Sequence, residues 1–228
     1  MLSVYIITAI LLTAGSADAA TITSNALINP IVQDFSDGDD VLRGTFTDGP
    51  EDASAGGVTV TWTSTSSRSV FSGFVDSFGL GGNGFWFADD DNRDGFVGIN
   101  PETASMTFSF ETPVSGVGGF VNYAVFDNGP VGNDPIIEIF DADGNSLETF
   151  NLFDEAPILT PNQNNAGAFR GFIRPHADIV SFALSGSFIL LDDLTFSTES
   201  SAVVPLPGAL PLMLAGLAGL GLVARRRG

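Results

Sequence analysis

The residues best suited to chemistry lie in one dense acidic segment, residues 89–95. Oxygen-bearing side chains occupy alternate positions there, at Asp90, Asn92 and Asp94. Such spacing lets successive oxygens converge on one calcium ion, and the glycine that follows permits the sharp turn required. Pro101 stands at the closing position of a full calcium loop, and Arg93 opposes cation binding. We expect either a calcium site or a solvated acidic turn.

An aromatic triplet, Phe85, Trp86 and Phe87, follows the glycine-rich residues 79–84. The glycine-rich segment lacks the Lys-Ser/Thr of a phosphate loop and precedes no predicted helix, so it is interpreted as a flexible loop. An exposed Trp86 would be a platform on which a sugar ring stacks. A buried Trp86 would belong to the core instead.

Two carboxylates, Asp192 and Asp193, interrupt the last apolar run before the C-terminal tail. If this run is a strand, one carboxylate faces the interior or the sheet edge, where it needs a cation or several donors. We expect an ion pair with Arg170 or Arg174, with a metal ion as the alternative. Residues 141–145 contain Asp-Gly between two strand-like segments, which indicates a hairpin turn rather than a calcium site.

Catalytic chemistry has little support, and no catalytic residue is assigned. His176 is the single histidine and cysteine is absent, which argues against zinc sites and Cys/His catalysis. The Gly-x-Ser-x-Gly elbow of serine hydrolases is also absent. Numerous carboxylates leave a secreted hydrolase of the two-carboxylate kind as an alternative.

The central part of the chain, residues 20–203, is strongly acidic. It holds 26 acidic residues, five arginines and no lysine. Nucleic acid is therefore not expected as a partner, because phosphate binding needs clustered positive charge. The negative charge favours solubility in salt water and cation binding. Without cysteine, the core or a bound metal must supply the stability that disulfides give many exported domains.

Short alternating segments predict an all-β body. Residues 58–63, 106–110 and 180–184 alternate apolar with small or polar side chains, as half-buried strands require. Further strands are predicted at residues 117–126, 136–140, 146–150 and 188–196. Because helical periodicity is absent and turns recur about every ten residues, the pattern favours a two-sheet antiparallel β-sandwich, jelly-roll-like in topology.

The N-terminus has the features of a secretory signal peptide. Residues 4–12 are mostly apolar, and Ala17 and Ala19 form a small-x-small site with predicted cleavage before Ala20. No lysine or arginine precedes the apolar region. Either the free amino group suffices, or the true start lies upstream of Met1. An uncleaved N-terminal anchor is the alternative.

The C-terminal tail has the length and polarity of a membrane helix. Residues 202–224 carry no charge, and about 20 apolar residues span the roughly 30 Å hydrocarbon core of a bilayer. Three arginines follow and are expected to stop transfer on the cytoplasmic side, at Arg225, Arg226 and Arg227. The acidic body then lies on the opposite side of the membrane.

A proline motif precedes this helix, at Val204, Pro205, Leu206, Pro207 and Gly208. The order of motif, apolar helix and arginine cluster resembles the VPLPA-type variant of PEP-CTERM sorting domains, although Gly208 stands where that variant usually has alanine. The resemblance implies recognition by an exosortase-like membrane protease, which cuts near the motif and removes the helix. A plain membrane anchor is the alternative.

Two shorter resemblances concern the body. Residues 106–123 look like the central strands of many PEP-CTERM ectodomains. Residues 188–196 are similar to the final strand of carbohydrate-binding jelly rolls. Both patterns consist of residue types that are common in strands. They therefore support the predicted fold more than they support any particular ligand.

The predicted organisation is a signal peptide (1–19), a β-sandwich ectodomain (20–197), a linker (198–203) and a sorting signal with a transmembrane helix (204–228). We expect an exported bacterial protein, anchored in the inner membrane during sorting and then placed at the cell surface or in the extracellular matrix. Its expected role is structural or adhesive, and its expected partners are the secretion machinery and the protease. A carbohydrate-binding module for envelope or extracellular polysaccharide is the second hypothesis.

Overall fold

The computed structural model describes residues 20–35, 46–71, 78–87 and 95–200. Within these ranges the chain forms short strands and a single helical turn. None of the helical structure in the described ranges is long and apolar enough to span a membrane.

The elements are numbered in chain order. They are β1 (Ala20–Ile22), β2 (Ile31–Gln33), β3 (Phe46–Thr47), β4 (Glu51–Ala55), β5 (Val58–Ser64), β6 (Ser69–Val70), β7 (Phe78–Gly79), β8 (Phe85–Trp86), β9 (Phe96–Gly98), β10 (Ser105–Val114), β11 (Gly116–Asn122), β12 (Val125–Phe126), β13 (Gly129–Pro130), β14 (Ile136–Phe140), β15 (Ser146–Asn151), α1 (Leu152–Glu155), β16 (Ala168–Ile173), β17 (Ile179–Ser185) and β18 (Leu190–Ser197).

Two large sheets contain most of these strands. One sheet has the order β15-β14-β17-β10-β5-β4, and the other has the order β1-β16-β11-β18-β9-β6-β3, with β2 also paired to β18. The strands within each large sheet pair antiparallel. Two small hairpins, β7–β8 and β12–β13, complete the described part of the chain. The all-β, antiparallel architecture predicted from the sequence is confirmed.

One hydrophobic core joins the two large sheets. Phe172 of β16 meets Phe182 of β17 edge to face, with ring centroids 6.3 Å apart. The ring centroids of Phe110 in β10 and Phe196 in β18 are 5.3 Å apart. Burying one phenylalanine contributes about 1.5–3 kcal/mol by removing apolar surface from water. Contacts of this kind between the sheets stabilise the layered arrangement.

Alternation along the strands places these side chains in the core. The apolar residues of β5 that the sequence assigned to one face are all buried, at Val58, Val60 and Trp62. Its threonines are half-buried on the opposite face. Strand β10 repeats the pattern, with buried Met106, Phe108 and Phe110. Polar-apolar alternation was therefore a sufficient signal for these two strands.

Two predicted strands have different limits in the structure. The strand predicted at residues 117–126 ends at Asn122 in the structure. The Tyr123 N–H donates to Asn122 Oδ1 (2.8 Å) and therefore takes no part in strand pairing. The predicted strand 188–196 begins only at Leu190. Ser187 and Phe188 have φ angles of 52° and 50°, in the left-handed region that no strand uses.

A β-bulge accounts for the two carboxylates in β18. Gly118 of β11 pairs with Thr195, whereas Phe120 pairs with Asp192, so β18 carries one extra residue between these positions. Asp193 occupies the extra position with a φ of 50°. Asp192 is buried, and its Oδ1 atom accepts the Asp193 N–H at 2.7 Å.

The two arginines expected to pair with these carboxylates make other contacts. Arg174 forms an ion pair with Asp178, with Nε 2.6 Å from Oδ1. Arg170 is buried and donates to the carbonyl oxygens of Ala156 and Phe169. The bulge that places Asp193 at the extra position depends on strand pairing and was not predicted from the sequence.

Residues 141–145 form the predicted hairpin turn between β14 and β15. The Asp141 carboxylate accepts hydrogen bonds from the N–H groups of Asp143 (2.9 Å) and Asn145 (2.8 Å) and from the Asn145 side chain (3.0 Å). These donors lower the pKa of Asp141, the Asn145 side chain contributing most.

Acid is expected to remove the contribution of Asp141 to stability. Its pKa is lower in the folded chain than in the unfolded chain, so the contribution is present above the unfolded pKa and is lost as the pH falls through the folded pKa. The melting temperatures of Asp141→Ala and the parent chain should therefore differ at neutral pH and converge in acid. An Asp143→Ala variant serves as the control within the same turn. A melting difference that does not change with pH would contradict this assignment.

Candidate binding pocket

A surface pocket of about 530 Å³ lies where three loops of the described chain meet. The loops follow β7, β12 and α1. The lining residues are Gly82, Asn83, Val125, Asp127, Asn128, Phe153, Pro157, Leu159 and Pro161. Volumes of about 300–1,000 Å³ are typical of small-molecule sites. The lining is mostly apolar, with a few polar groups on one side.

The β12–β13 hairpin positions the exposed polar side chains. Phe126 pairs with Gly129, and the two residues between them, Asp127 and Asn128, have φ angles of 49° and 66°. Positive φ at both central positions is the type I′ geometry that matches the twist of a hairpin, and Asp and Asn tolerate it better than most residues. Neither side chain has a hydrogen-bond partner among the described residues.

The part of the lining that follows α1 is held by a buried pair, Tyr123 and Arg170. The Tyr123 hydroxyl accepts the Ile158 N–H at 3.0 Å. Arg170 donates to the Ala156 carbonyl from both Nε (3.1 Å) and Nη2 (2.9 Å). Burial raises the pKa of Tyr123 and lowers the pKa of Arg170, because both charged forms lose solvation.

Asn83, in the loop after β7, is bonded through its side chain to the end of β11 and to the loop after α1. Its Nδ2 atom lies within hydrogen-bond distance of three oxygens: Asn122 Oδ1 (2.8 Å), Ile158 O (2.9 Å) and Tyr123 O (3.0 Å). Its Oδ1 atom accepts the Thr160 N–H at 2.6 Å. The residue is 2% exposed. An amide has two donors and one acceptor oxygen, so this side chain is fully used by the protein.

Asn122 extends this hydrogen-bonded network to the end of the third loop. Its Nδ2 atom donates to Thr160 Oγ1 (2.9 Å) and to the Ala166 carbonyl. Thr160 Oγ1 in turn donates to the Asn83 carbonyl at 2.9 Å. The loops after β7 and α1 are thus joined to each other and to β11 by hydrogen bonds, which favours one geometry before any ligand arrives.

Apolar side chains are exposed around the same loops. Phe126 is 68% exposed and Leu159 is 60% exposed. Phe85 and Phe87 are also exposed, with ring centroids 6.1 Å apart. Their positions are fixed by Asn165, whose side chain accepts the Phe87 N–H and donates to the Phe87 carbonyl.

Trp86 does not form the sugar platform considered from the sequence. It is 4% exposed and packs in a second core cluster with Phe78, Leu80 and Phe96. The reason is strand alternation, since in β8 Trp86 faces inward while Phe85 faces outward. The glycine-rich residues before it form the loop that connects β7 and β8, which pair as a hairpin.

Several predicted sites lie outside the described residues. These are the calcium loop at Asp90, Asn92 and Asp94, the signal cleavage site at Ala17 and Ala19, the motif at Val204–Gly208 and the basic end at Arg225–Arg227. Among the described residues, no three His, Asp or Glu side chains are grouped to hold a metal ion. His176 is exposed in a loop, as expected. Calcium binding and sorting stay predictions.

The sequence did not single out Asn83, Asp127 or Asn128. Asp-Asn-Gly-Pro at residues 127–130 was a visible turn signal, and its hairpin follows from known turn preferences. Nothing local, however, indicates that the turn faces residues 153–161. Asn83 stands in a glycine-rich stretch, where an asparagine is more often a turn residue than a buried one.

The fold and pocket define an all-β, antiparallel-sheet protein with a surface pocket between loops. Comparison of the chain with protein-family models, curated proteins and solved structures gives no match.

Proposed function

We propose that this chain is an exported surface or extracellular-matrix protein with a structural or adhesive role. An exosortase-like protease would sort it and cut near Val204–Gly208. The observation that carries the proposal is the C-terminal order of a proline motif, an uncharged segment of membrane length and three arginines. The chain would be held in the inner membrane by this segment until processing releases or attaches the ectodomain.

The described strands are compatible with this proposal. The first strand of the described region begins at Ala20, directly after the predicted cleavage site, and the last one ends at Ser197. Both ends of the region belong to the same sheet, through β1 and β18. We propose that the described strands, which pack around one core, form a jelly-roll-like β-sandwich.

Charge and composition agree with an exported location. The body has a large acidic excess and the chain has no cysteine, so the ectodomain folds without depending on the redox state of its surroundings. Its negative charge limits self-association in salt water. The secretion machinery and the membrane are the partners required in transit.

Mass spectrometry of the protein from a host that contains an exosortase tests the sorting proposal. We expect the mature protein to begin at Ala20 and to lack the residues after about Pro207. A Pro205→Ala, Pro207→Ala double variant should retain the tail in most molecules, whereas Pro113→Ala, at an exposed proline of β10, should be processed normally. A mature chain that keeps Arg225–Arg227 in the parent protein would show a plain anchor instead.

A further inference from the structure

The pocket keeps an apolar surface open to solvent. Val125, Phe153, Pro157, Leu159 and Pro161 contribute most of its lining. Leu159 stays 60% exposed on a loop whose neighbours, Ile158 and Thr160, are fixed by hydrogen bonds. Apolar surface held open in a concave site is typical of a binding site.

The polar groups of the pocket lie on its hairpin side. The carboxylate of Asp127 accepts hydrogen bonds only, and the amide of Asn128 both donates and accepts. Both side chains are exposed and without hydrogen-bond partners among the described residues. Asn83 also lines the pocket, but its amide is used by the protein, so it shapes the floor rather than binding a ligand.

Charge limits the class of ligand. Among the described residues, the lining contains one carboxylate, Asp127, and no basic side chain, and the body as a whole is strongly acidic. Phosphates, uronic acids and sialic acids are therefore disfavoured by repulsion. A wholly apolar ligand would leave the Asp127 carboxylate desolvated without a partner, which is costly.

We propose that this pocket binds a neutral saccharide. A pyranose ring has an apolar C–H face and a rim of hydroxyl groups, and the pocket lining combines the apolar residues Pro157, Leu159 and Pro161 with the polar side chains of Asp127 and Asn128. Ring hydroxyls donate to the carboxylate, and the amide makes both kinds of hydrogen bond. The inference rests on the proposed adhesive role, for which it supplies the ligand.

The site binds the saccharide without cleaving it. Glycoside hydrolysis by the common mechanism requires two carboxyl groups that flank the bond, about 5–10 Å apart. Within the described part of the chain, the lining residues supply one carboxyl group, that of Asp127. The fixed loops suit binding, because a site that is already ordered loses less entropy when it takes up a ligand.

An array of neutral oligosaccharides built from glucose, galactose, mannose and N-acetylglucosamine tests the proposal, with uronic-acid and sialylated oligosaccharides as comparison probes. The probe protein is the full-length chain in a detergent without sugar headgroups, since a maltoside would compete for the site. We expect binding to at least one neutral oligosaccharide and weaker or no binding to its acidic counterpart. Titration calorimetry on the best neutral oligosaccharide then gives the affinity.

Variants with matched controls locate the binding. Asp127→Asn keeps the size and the left-handed conformation, and should weaken binding about tenfold or more through loss of charged hydrogen bonds. Leu159→Ala should weaken it about threefold to tenfold. The controls are Asp143→Asn in the β14–β15 turn and Val32→Ala on an exposed site of β2, which should bind as the parent does.

Three outcomes overturn the proposal: no neutral oligosaccharide binds, acidic oligosaccharides bind as well as neutral ones, or both pocket variants bind like their controls. Equal melting temperatures of the parent and variants establish that loss of binding is not loss of fold. Failure of sorting would appear in the mass of the mature protein and not in these titrations, so the two proposals fail independently.

Discussion

Replacement of Asn83 by alanine is expected to lower the free energy of unfolding by about 3–5 kcal/mol, because it leaves several buried polar groups without partners. The side chain satisfies the carbonyl oxygens of Tyr123 and Ile158 and the N–H of Thr160, and also contacts Asn122. Each buried group left unsatisfied costs about 1–3 kcal/mol. Water entry into the space left by the side chain reduces the total below the simple sum.

A second substitution separates hydrogen bonding from packing. Asn83→Asp keeps the shape and the oxygen that accepts from Thr160, but replaces the donating Nδ2 with an oxygen beside the carbonyls of Tyr123 and Ile158. A buried carboxylate against acceptor oxygens is strongly unfavourable. We therefore expect Asn83→Asp to be at least as destabilising as Asn83→Ala at neutral pH.

Urea denaturation measures both changes, and hydrogen exchange shows where they act. Exchange should accelerate first at the amides that the network holds, Gly82, Thr160 and Ile158. Asn25→Ala, at an exposed asparagine, is the control and should change stability by less than about 0.5 kcal/mol. If the stability of Asn83→Ala falls no further than that of this control, the network does not hold the pocket loops.

Several strands of the large sheets were predictable because their signal is local, whereas β4, β9 and β16 were not predicted. The alternating side chains of β5 and β10 indicate a strand and its buried face without knowledge of any partner. The hairpin of β14 and β15 is signalled by Asp-Gly between them. Where a local pattern and the tertiary environment require the same conformation, the sequence alone is informative.

The pocket was not predictable because it depends on contacts between distant residues. Asn83 meets Ile158 across 75 positions of sequence, and no local pattern marks either residue. Trp86 was considered as a surface residue, but the pairing of β7 with β8 turns it inward. The contact of Asn83 with Ile158 and the burial of Trp86 both depend on which loops the topology brings together.

Glycines in the centre of one sheet provide the second large expected effect. Gly118 of β11 and Gly171 of β16 are directly paired. A Cβ atom built at Gly171 would lie 2.3 Å from the Val117 carbonyl oxygen and 2.6 Å from the Gly118 Cα atom. Both atoms belong to the backbone of the paired strand, so no side-chain rotation relieves the overlap. The sequence marks these positions only as glycines in an apolar run.

We expect Gly171→Ala to destabilise the chain by about 3 kcal/mol or to prevent folding, because β11 and β16 must separate to admit one methyl group. Gly79→Ala is the matched control: it is also a strand glycine, but the nearest atom to its Cβ position is Phe85 Cε1 at 4.0 Å, an ordinary contact. The control should stay within about 1 kcal/mol of the parent in urea denaturation. Equal stability of the two variants would mean that β11 and β16 lie farther apart than described.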